Sequence, residues 1–315
     1  MGTPELAARV LQPLIEASPH RILAVYAQPD RPSGRGLKPA PPPVKILAQS
    51  RGIEVIQPER FKDPGVVERL EALAPDLIVV AAYGLILPQR VLDIPRQGAL
   101  NIHPSLLPRW RGAAPLQAAL LNGDRSTGVT LMQMDRGMDT GDIIRQESVP
   151  LDSDINAAQL GARLADRAAG MLIRLLEEYP QGGWPRTPQV ASNATYAPKI
   201  TREQGLLDFQ RSAIELHNRV RALVEWPTAF LPTNGGPIKV LETRVVGEED
   251  EFTFSDTIHR TPGHLLRLSA DGIWVACGEG TLCLQRVLPP GKKPMDARSW
   301  ANGARLKAGD SLGEL

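Results

Sequence analysis

Apolar positions recur along this chain in two rhythms, one in each half. Leu6, Val10 and Leu14 sit four residues apart in PELAARVLQPLIEA, which predicts an amphipathic helix with Pro4 at its first position and a kink at Pro13. RILAVYA then reads as a strand, PPVKILAQSRG as a helix closed by Gly52, IEVIQ as a strand and GVVERLEALA as a helix. The unbroken apolar run in DLIVVAAYG predicts a strand buried on both faces. GALNIHP and GVTLMQMD follow as further strands. A helix over residues 155–179 carries Leu160, Leu164, Ala168, Met171 and Leu175 on one stripe. Strands alternating with helices in this way predict an α/β fold, a Rossmann-like parallel sheet wound with helices.

The rhythm changes after Tyr179. GGWPRTPQVASNATYAPKIT is poor in periodic apolar residues and rich in Pro, Ser, Thr and Asn, so it reads as an interdomain linker. A helix around residues 213–223 comes next, followed by short alternating segments with Gly-rich turns: GPIKVLETRVV, HLLRLSA, GIWVACGEG and TLCLQRVL. These predict a small OB-like β-barrel. The expected organisation is a first domain over residues 1–181, a linker over 182–202 and a C-terminal barrel over 203–315.

Length and charge narrow the functions. With 315 residues the chain can bury a sizeable core and hold two domains. Its 36 basic and 35 acidic residues leave a net charge of +1, so any site for a polyanion is a local patch and not a global field. Apolar runs such as LIVVAA fall far short of the roughly 20 residues that span a bilayer, and MGTPELAARV has no basic start leading into an apolar stretch. A soluble, cytoplasmic protein is therefore expected. The two cysteines, Cys277 and Cys283, have no second pair to complete a metal site and read as ordinary strand thiols.

The chemistry concentrates in LNIHPSLLPRWRGAAPLQ, residues 100–117. Asn101 and His103 sit where a strand runs out, at the edge where open parallel sheets bind ligands. Asp135 and Asp139 follow the next strand in MDRGMDTGD, where Gly137 and Gly141 can bend the chain back toward that edge. The expected constellation is Asn101, His103 and Asp139, without a nucleophile elbow or metal-ligand spacing. Such a trio suits direct acyl transfer: an Asn amide and an imidazole stabilise an oxyanion, and a carboxylate favours the protonated imidazole and moves protons. The plainer reading is that His103 caps a strand and Asp139 satisfies a turn.

GTPELAA, QPDRPSGRG, VAAYGLILP, NIHPSLLPRWRGAAPLQ, GVTLMQMDRGMDTGDII, TYAPKIT, EWPTAF and GKKPM occur in this order over nearly the whole chain. Together they resemble the methionyl-tRNA formyltransferase family. The resemblance implies transfer of a formyl group from 10-formyltetrahydrofolate to the α-amine of initiator methionyl-tRNA, with no metal and no membrane partner. It implies catalytic roles for Asn101, His103 and Asp139, and a folate site lined by Ser105, Leu106, Leu107 and Pro108. RWRGAAP would shape the floor of a cleft shared by folate and tRNA.

The same resemblance bears on PDRPSGRGLKPAPPP, residues 29–43, a structureless insertion on composition alone. Arg31, Arg35 and Lys38 would there meet tRNA phosphates. Lys292 and Lys293, with Lys239 and Arg298, would offer the C-terminal domain a basic face, although solvated surface explains each lysine equally well. One departure stands out: members of the family open with an apolar strand, whereas Met1 here directly precedes the GTPE turn. The first strand of the sheet is expected to be missing, and Met1 to be internal to a longer chain. The alternatives are another 10-formyltetrahydrofolate-dependent formyltransferase or hydrolase, or a non-catalytic RNA-binding relative.

Overall fold

The computed structural model describes residues 1–33, 38–247 and 261–312. Two compact units emerge from it, and the chain passes between them more than once. The first comprises Met1–Pro115, Ser126–Pro150 and Gln159–Ala197; the second comprises Leu116–Arg125, Leu151–Ala158 and Pro198–Leu315. The segment expected as a linker thus belongs largely to the first unit. Thr187 exchanges two backbone hydrogen bonds of 2.8 Å with Ile143, and Tyr196–Ala197 pairs as a strand with Arg111–Gly112. Its apolar periodicity is weak because backbone pairing, with the single large buried side chain of Trp184, holds it down.

In the first unit the elements run α1 (Glu5–Ala17), β1 (Val25–Tyr26), β2 (Arg31–Ser33), β3 (Lys38–Ala40), α2 (Pro43–Ser50), β4 (Val55–Ile56), α3 (Val66–Leu73), β5 (Ile78–Ala81), α4 (Gln89–Leu92), β6 (Ala99–His103), β7 (Arg111–Gly112), α5 (Pro115–Leu121), β8 (Ser126–Gln133), β9 (Ile143–Pro150), α6 (Ala157–Glu178) and β10 (Tyr196–Ala197), with all of α5 after Pro115 and the start of α6 through Ala158 counting with the second unit. β1 pairs with β4 and β5 with β6, both parallel, as the alternation of strands and helices predicts. β8 departs from that arrangement by pairing antiparallel with β6, and β9 pairs antiparallel with β8 at the outer edge. An antiparallel edge on an otherwise parallel sheet is common. All five residues of the α6 stripe are buried, from Leu160 to Leu175.

The described residues of the insertion at 29–43, namely 29–33 and 38–43, are not structureless. β2 and β3 form an antiparallel hairpin with Arg31 opposite Ala40 and Ser33 opposite Lys38, and Arg35 lies outside the described residues. Lys45 anchors the hairpin's root through 2.8 Å contacts to both carboxylate oxygens of Asp30 and a 2.7 Å bond to Gln57.

Met1 and Gly2 lie between β1 and β5. The Met1 ammonium donates to Val79 O at 2.6 Å, Ala81 N–H donates to Met1 O at 2.9 Å, and Gly2 N–H donates to Tyr26 O at 2.9 Å. Beside them a cavity of about 560 Å³ is lined by apolar residues such as Leu14, Val25, Ile78 and Leu176, with His20, Arg21, Asp76 and Arg96 also on its wall. Burial pushes the Met1 ammonium from 8.0 down to about 5.

The second unit contains α7 (Ala213–Ala222), β11 (Phe230–Leu231), β12 (Ile238–Val245), β13 (Leu265–Leu268), β14 (Ile273–Ala276), β15 (Thr281–Leu288), β16 (Met295–Asp296) and α8 (Ala297–Gly303). Ser212 and Glu215 cap α7 reciprocally. The strands form one antiparallel sheet in the order β11-β12-β15-β14-β13, with β16 on β15, and two register shifts bend β12. β14 and the start of β15 are buried throughout because both faces are covered. Leu265, Ile273 and Leu284 belong to the main core with α7 and α8, while Leu266, Trp274 and Cys283 form a smaller cluster. Cys277 and Cys283 are both buried thiols.

His217 on α7 is buried within this unit. Thr243 Oγ1 lies 3.0 Å from its Nδ1 and Ser153 O lies 3.1 Å from its Nε2. Burial, the largest influence, holds its pKa below the ordinary 6.5. The folded state therefore binds fewer protons than the unfolded chain just below that value. Stability present above pH 6.5 is lost as pH falls toward the folded pKa. Urea midpoints at about pH 7.5 and about pH 5.5 should separate more in the parent than in His217→Gln; equal separation would remove His217 as the cause.

Candidate active site

Asn101 and His103 are two residues apart on β6, so their side chains leave the same face of the sheet. The carboxylate that meets them arrives by an indirect route. Because β8 runs antiparallel, its carboxyl end lies at the amino end of β6, where Met134 N–H donates to Ala99 O. From there to His103 is four residues, or roughly 13 Å along a strand. Residues 134–142 cover that distance by doubling back over the sheet. Asp139 sits in the returning turn with a left-handed φ of 54°, a conformation that Asp tolerates better than most residues.

The trio is then in contact. Asn101 Nδ2 donates to Asp139 Oδ1 at 3.3 Å, and Gly112 N–H donates to Asp139 Oδ2 at 2.8 Å. His103 Nε2 lies 3.2 Å from Asp139 Oδ2, close enough for charge attraction although the pair lacks the alignment of a hydrogen bond. Burial by itself would raise the Asp139 pKa. His103, the Gly112 N–H and the charge of Arg111 outweigh it and hold the carboxyl below its ordinary value. Asp135 acts within the turn, where its carboxylate accepts from Gly137 N–H and from the Thr140 hydroxyl and so knits the segment together.

The His103 tautomer follows from its other neighbour. Ser105 Oγ lies 3.0 Å from His103 Nδ1 and 2.6 Å from Arg109 O. A carbonyl can only accept, so the single hydroxyl proton goes to Arg109 O and the oxygen accepts from Nδ1–H. Nε2 is the nitrogen left to face Asp139.

This geometry also disposes the residues expected to line a folate site. Ser105 is fully buried and turned toward His103, and Leu107 is buried. Thr130 and Gln146 hold their backbone: Leu107 N–H donates to Thr130 Oγ1, Thr130 Oγ1 donates to Ser105 O, and Gln146 Nε2 donates to Leu107 O. Leu106 and Pro108 keep part of their surface open. In RWRG the two arginines part company. Arg109 is exposed with its guanidinium 5.1 Å from the Trp110 ring, whereas Arg111 is buried and donates to Gln189 Oε1. Gln189, Thr130 and Gln146 carried no signal in the sequence, because a single polar residue in a strand or an irregular segment has no pattern.

The basic residues expected to meet tRNA occupy separate places. Arg31 is at the hairpin base, with Nη2 3.2 Å from Gln28 Oε1, and Lys38 is in β3. In the second unit, Lys292 and Lys293 are exposed in the turn between β15 and β16, and Lys239 on β12 and Arg298 on α8 are exposed as well. Among the described residues no cluster of His, Cys, Asp and Glu could hold a metal ion, and no helix is long and apolar enough to cross a membrane.

Known proteins match both halves of the chain. Residues 1–176 fit the formyl transferase family model, and residues 199–305 fit the model of the formyl transferase C-terminal domain. The methionyl-tRNA formyltransferase of Geobacter sulfurreducens is 43% identical over 314 residues, covering 100% of this chain and 96% of its own. That of Pseudomonas fluorescens is 44% identical over 306 residues, covering 97% and 92%. The crystal structure of WlaRD, a sugar 3N-formyl transferase, superposes with a TM-score of 0.65 over 93% of this chain and 97% of that one; at 17% identity this likeness concerns the fold alone. With its family model over residues 1–176 and relatives this similar along its whole length, the chain belongs to the formyl transferase family, among the methionyl-tRNA formyltransferases.

Proposed function

We propose that this chain transfers a formyl group from 10-formyltetrahydrofolate to the α-amino group of initiator methionyl-tRNA, in the cytoplasm, with Asn101, His103 and Asp139 as its catalytic residues. The observation that carries the reading is the contact of these three side chains, 3.3 Å and 3.2 Å from the Asp139 oxygens, in a chain 43% identical to a methionyl-tRNA formyltransferase along its full length.

The folate co-substrate supplies the formyl carbon. The residues present fit such a ligand: the backbone of residues 105–108 is held from behind by Thr130 and Gln146, and Leu106 and Pro108 keep partly open apolar surface for a ring. Of the two hydrogens on Asn101 Nδ2, one is given to Asp139, which leaves the other for the formyl oxygen as it gains charge. Ionised Asp139 takes the proton that the attacking amine must lose, and His103 Nε2 gives one to the departing nitrogen. The pair exchanges a proton across its 3.2 Å contact, so one proton leaves the amine and one reaches the folate nitrogen.

Labelled formyl should move from 10-formyltetrahydrofolate to methionyl-tRNA and not to free methionine or a sugar nucleotide amine. Transfer only to a small amine, or none at all, would overturn the reading.

In this reading Arg31 and Lys38 of the hairpin, Arg35 between them in the sequence, and Lys292 and Lys293 contact the tRNA. Arg35→Ala should then raise the KM for methionyl-tRNA and leave that for the folate unchanged. The salt dependence of tRNA binding should lose about one unit of slope, the signature of one phosphate contact. Equal defects toward both substrates would make the hairpin a structural strap.

A further inference from the structure

Gln189 lies in TPQV, the stretch whose composition reads as a linker, yet its side-chain amide is saturated. Nε2 donates to Asp139 O at 2.9 Å and to Gly141 O at 2.7 Å, while Oε1 accepts from Arg111 Nε at 3.2 Å and Nη2 at 2.7 Å. The amide can point only one way, because a flip would set its N–H groups against the guanidinium and its oxygen against two carbonyls. One side chain thus ties the returning turn that carries Asp139 to β7, which carries Arg111.

The chemical identity of this tie matters as much as its geometry. Arg111 is only 5% exposed, and the acceptor it reaches on Gln189 is neutral, so its charge is not cancelled there. That charge acts on the Asp139 carboxylate. The groups facing this carboxylate are His103 and Asn101 from β6 and Arg111 and the Gly112 N–H from β7; within its own turn, Asp135 is engaged by Gly137 and Thr140. A glutamate at position 189 could still accept from Arg111. It could not donate to the two carbonyls, and it would neutralise the guanidinium.

We infer that Gln189 is a positioning residue for the formyl transfer: it clamps the Asp139 turn to β7 and keeps the Arg111 charge free to act on the Asp139 carboxylate. The inference deepens the proposed reaction and rests on that reading for its kinetic readout.

The test compares the parent with Gln189→Glu and Gln189→Ala. Turnover is measured against pH with both substrates, and the Asp139 carboxyl is titrated by carbon-13 NMR, its signal assigned by its absence from Asp139→Asn. Gln189→Glu should lower kcat by about 10-fold, in keeping with the sensitivity of such sites to small displacements. Both KM values should stay within about two-fold. The acid limb of its kcat profile and the Asp139 titration should move to higher pH, because a second anion beside Arg111 makes ionised Asp139 less favourable. Gln189→Ala should lower kcat with a smaller movement of the acid limb. An unchanged Asp139 titration in Gln189→Glu, or a loss seen equally in both KM values with no pH movement, would overturn the inference and leave Gln189 a structural strap. If the parent moves no formyl to methionyl-tRNA, the proposed function fails, while the NMR titration still decides the role of Gln189.

Discussion

Asn101→Ala and His103→Ala should each lower turnover on methionyl-tRNA by about 10²- to 10³-fold, within the ranges found when a preorganised oxyanion donor or a general acid is removed. That corresponds to roughly 2.7–4 kcal/mol of transition-state stabilisation. For Asn101 the loss follows from its two amide hydrogens, one spent on orienting the side chain against Asp139 and the other available to the substrate oxygen. For His103 it follows from a ring whose Nδ1–H is committed to Ser105 and whose Nε2 is the nitrogen that can exchange protons with Asp139. His103 is 3% exposed, so truncation to alanine also leaves a cavity. His103→Gln fills most of that space and should be as slow, which separates chemistry from packing. Asp139→Asn keeps the shape, removes the charge and should cost about as much. Single-turnover kinetics, with folate binding measured separately, would show the defect in the chemical step. Turnover within a few-fold of the parent for Asn101→Ala or His103→Gln would return that residue to a strand-end role.

Gly141→Ala should cost about 10²-fold in turnover and destabilise the first unit, although residue 141 has no side chain to take part in the chemistry. A Cβ built at this position would stand 1.8 Å from Gln133 O and 3.0 Å from Gln133 C. Both neighbours are backbone, so neither can rotate away. The contact sits where β8 hands over to the returning turn: Gln133 N–H donates to Asp142 O at 2.9 Å, and Gly141 O receives the Gln189 amide at 2.7 Å. Relief of the clash requires a shift of about 1 Å in the segment that aims Asp139, and displacements of that size are what such chemistry tolerates least. Gly303→Ala at the end of α8 is the control, since a Cβ there meets nothing within 4 Å and the backbone is not left-handed. Stability by denaturant titration and kcat should both fall for Gly141→Ala and stay level for Gly303→Ala. Parent-like values for Gly141→Ala would mean that the turn can re-seat Asp139 without loss.

Much of this architecture was legible because burial imposes a period on the sequence. The stripe from Leu160 to Leu175 marks α6, the apolar run at residues 77–82 marks β5, and the alternation of such segments predicts the parallel pairs β1–β4 and β5–β6. Asn101 and His103 could be placed on one face of a strand end because side chains alternate along a strand. The ordered series of motifs carried the family, since each stretch keeps its own residue types at its own spacing. Period is silent about strand direction. A strand shows the same burial whichever way it runs, so the antiparallel setting of β8 was hidden, and with it the doubling back that brings Asp139 to His103.

Composition is equally silent about hydrogen bonds that cross long separations. Residues 182–201 and 29–43 look like loops because they lack apolar period, yet backbone pairing to Ile143, Arg111 and within the β2–β3 hairpin orders the described parts of both. Gln189 is the sharpest case. Its residue type announces nothing, and its role arises only because the fold carries it 48 and 50 positions back along the chain to the carbonyls of Gly141 and Asp139, and 78 positions back to Arg111. Local sequence determined which side chains are proposed to carry the chemistry. Long-range backbone geometry decided what holds them, because a polar tie between distant segments exists only after the chain has closed on itself.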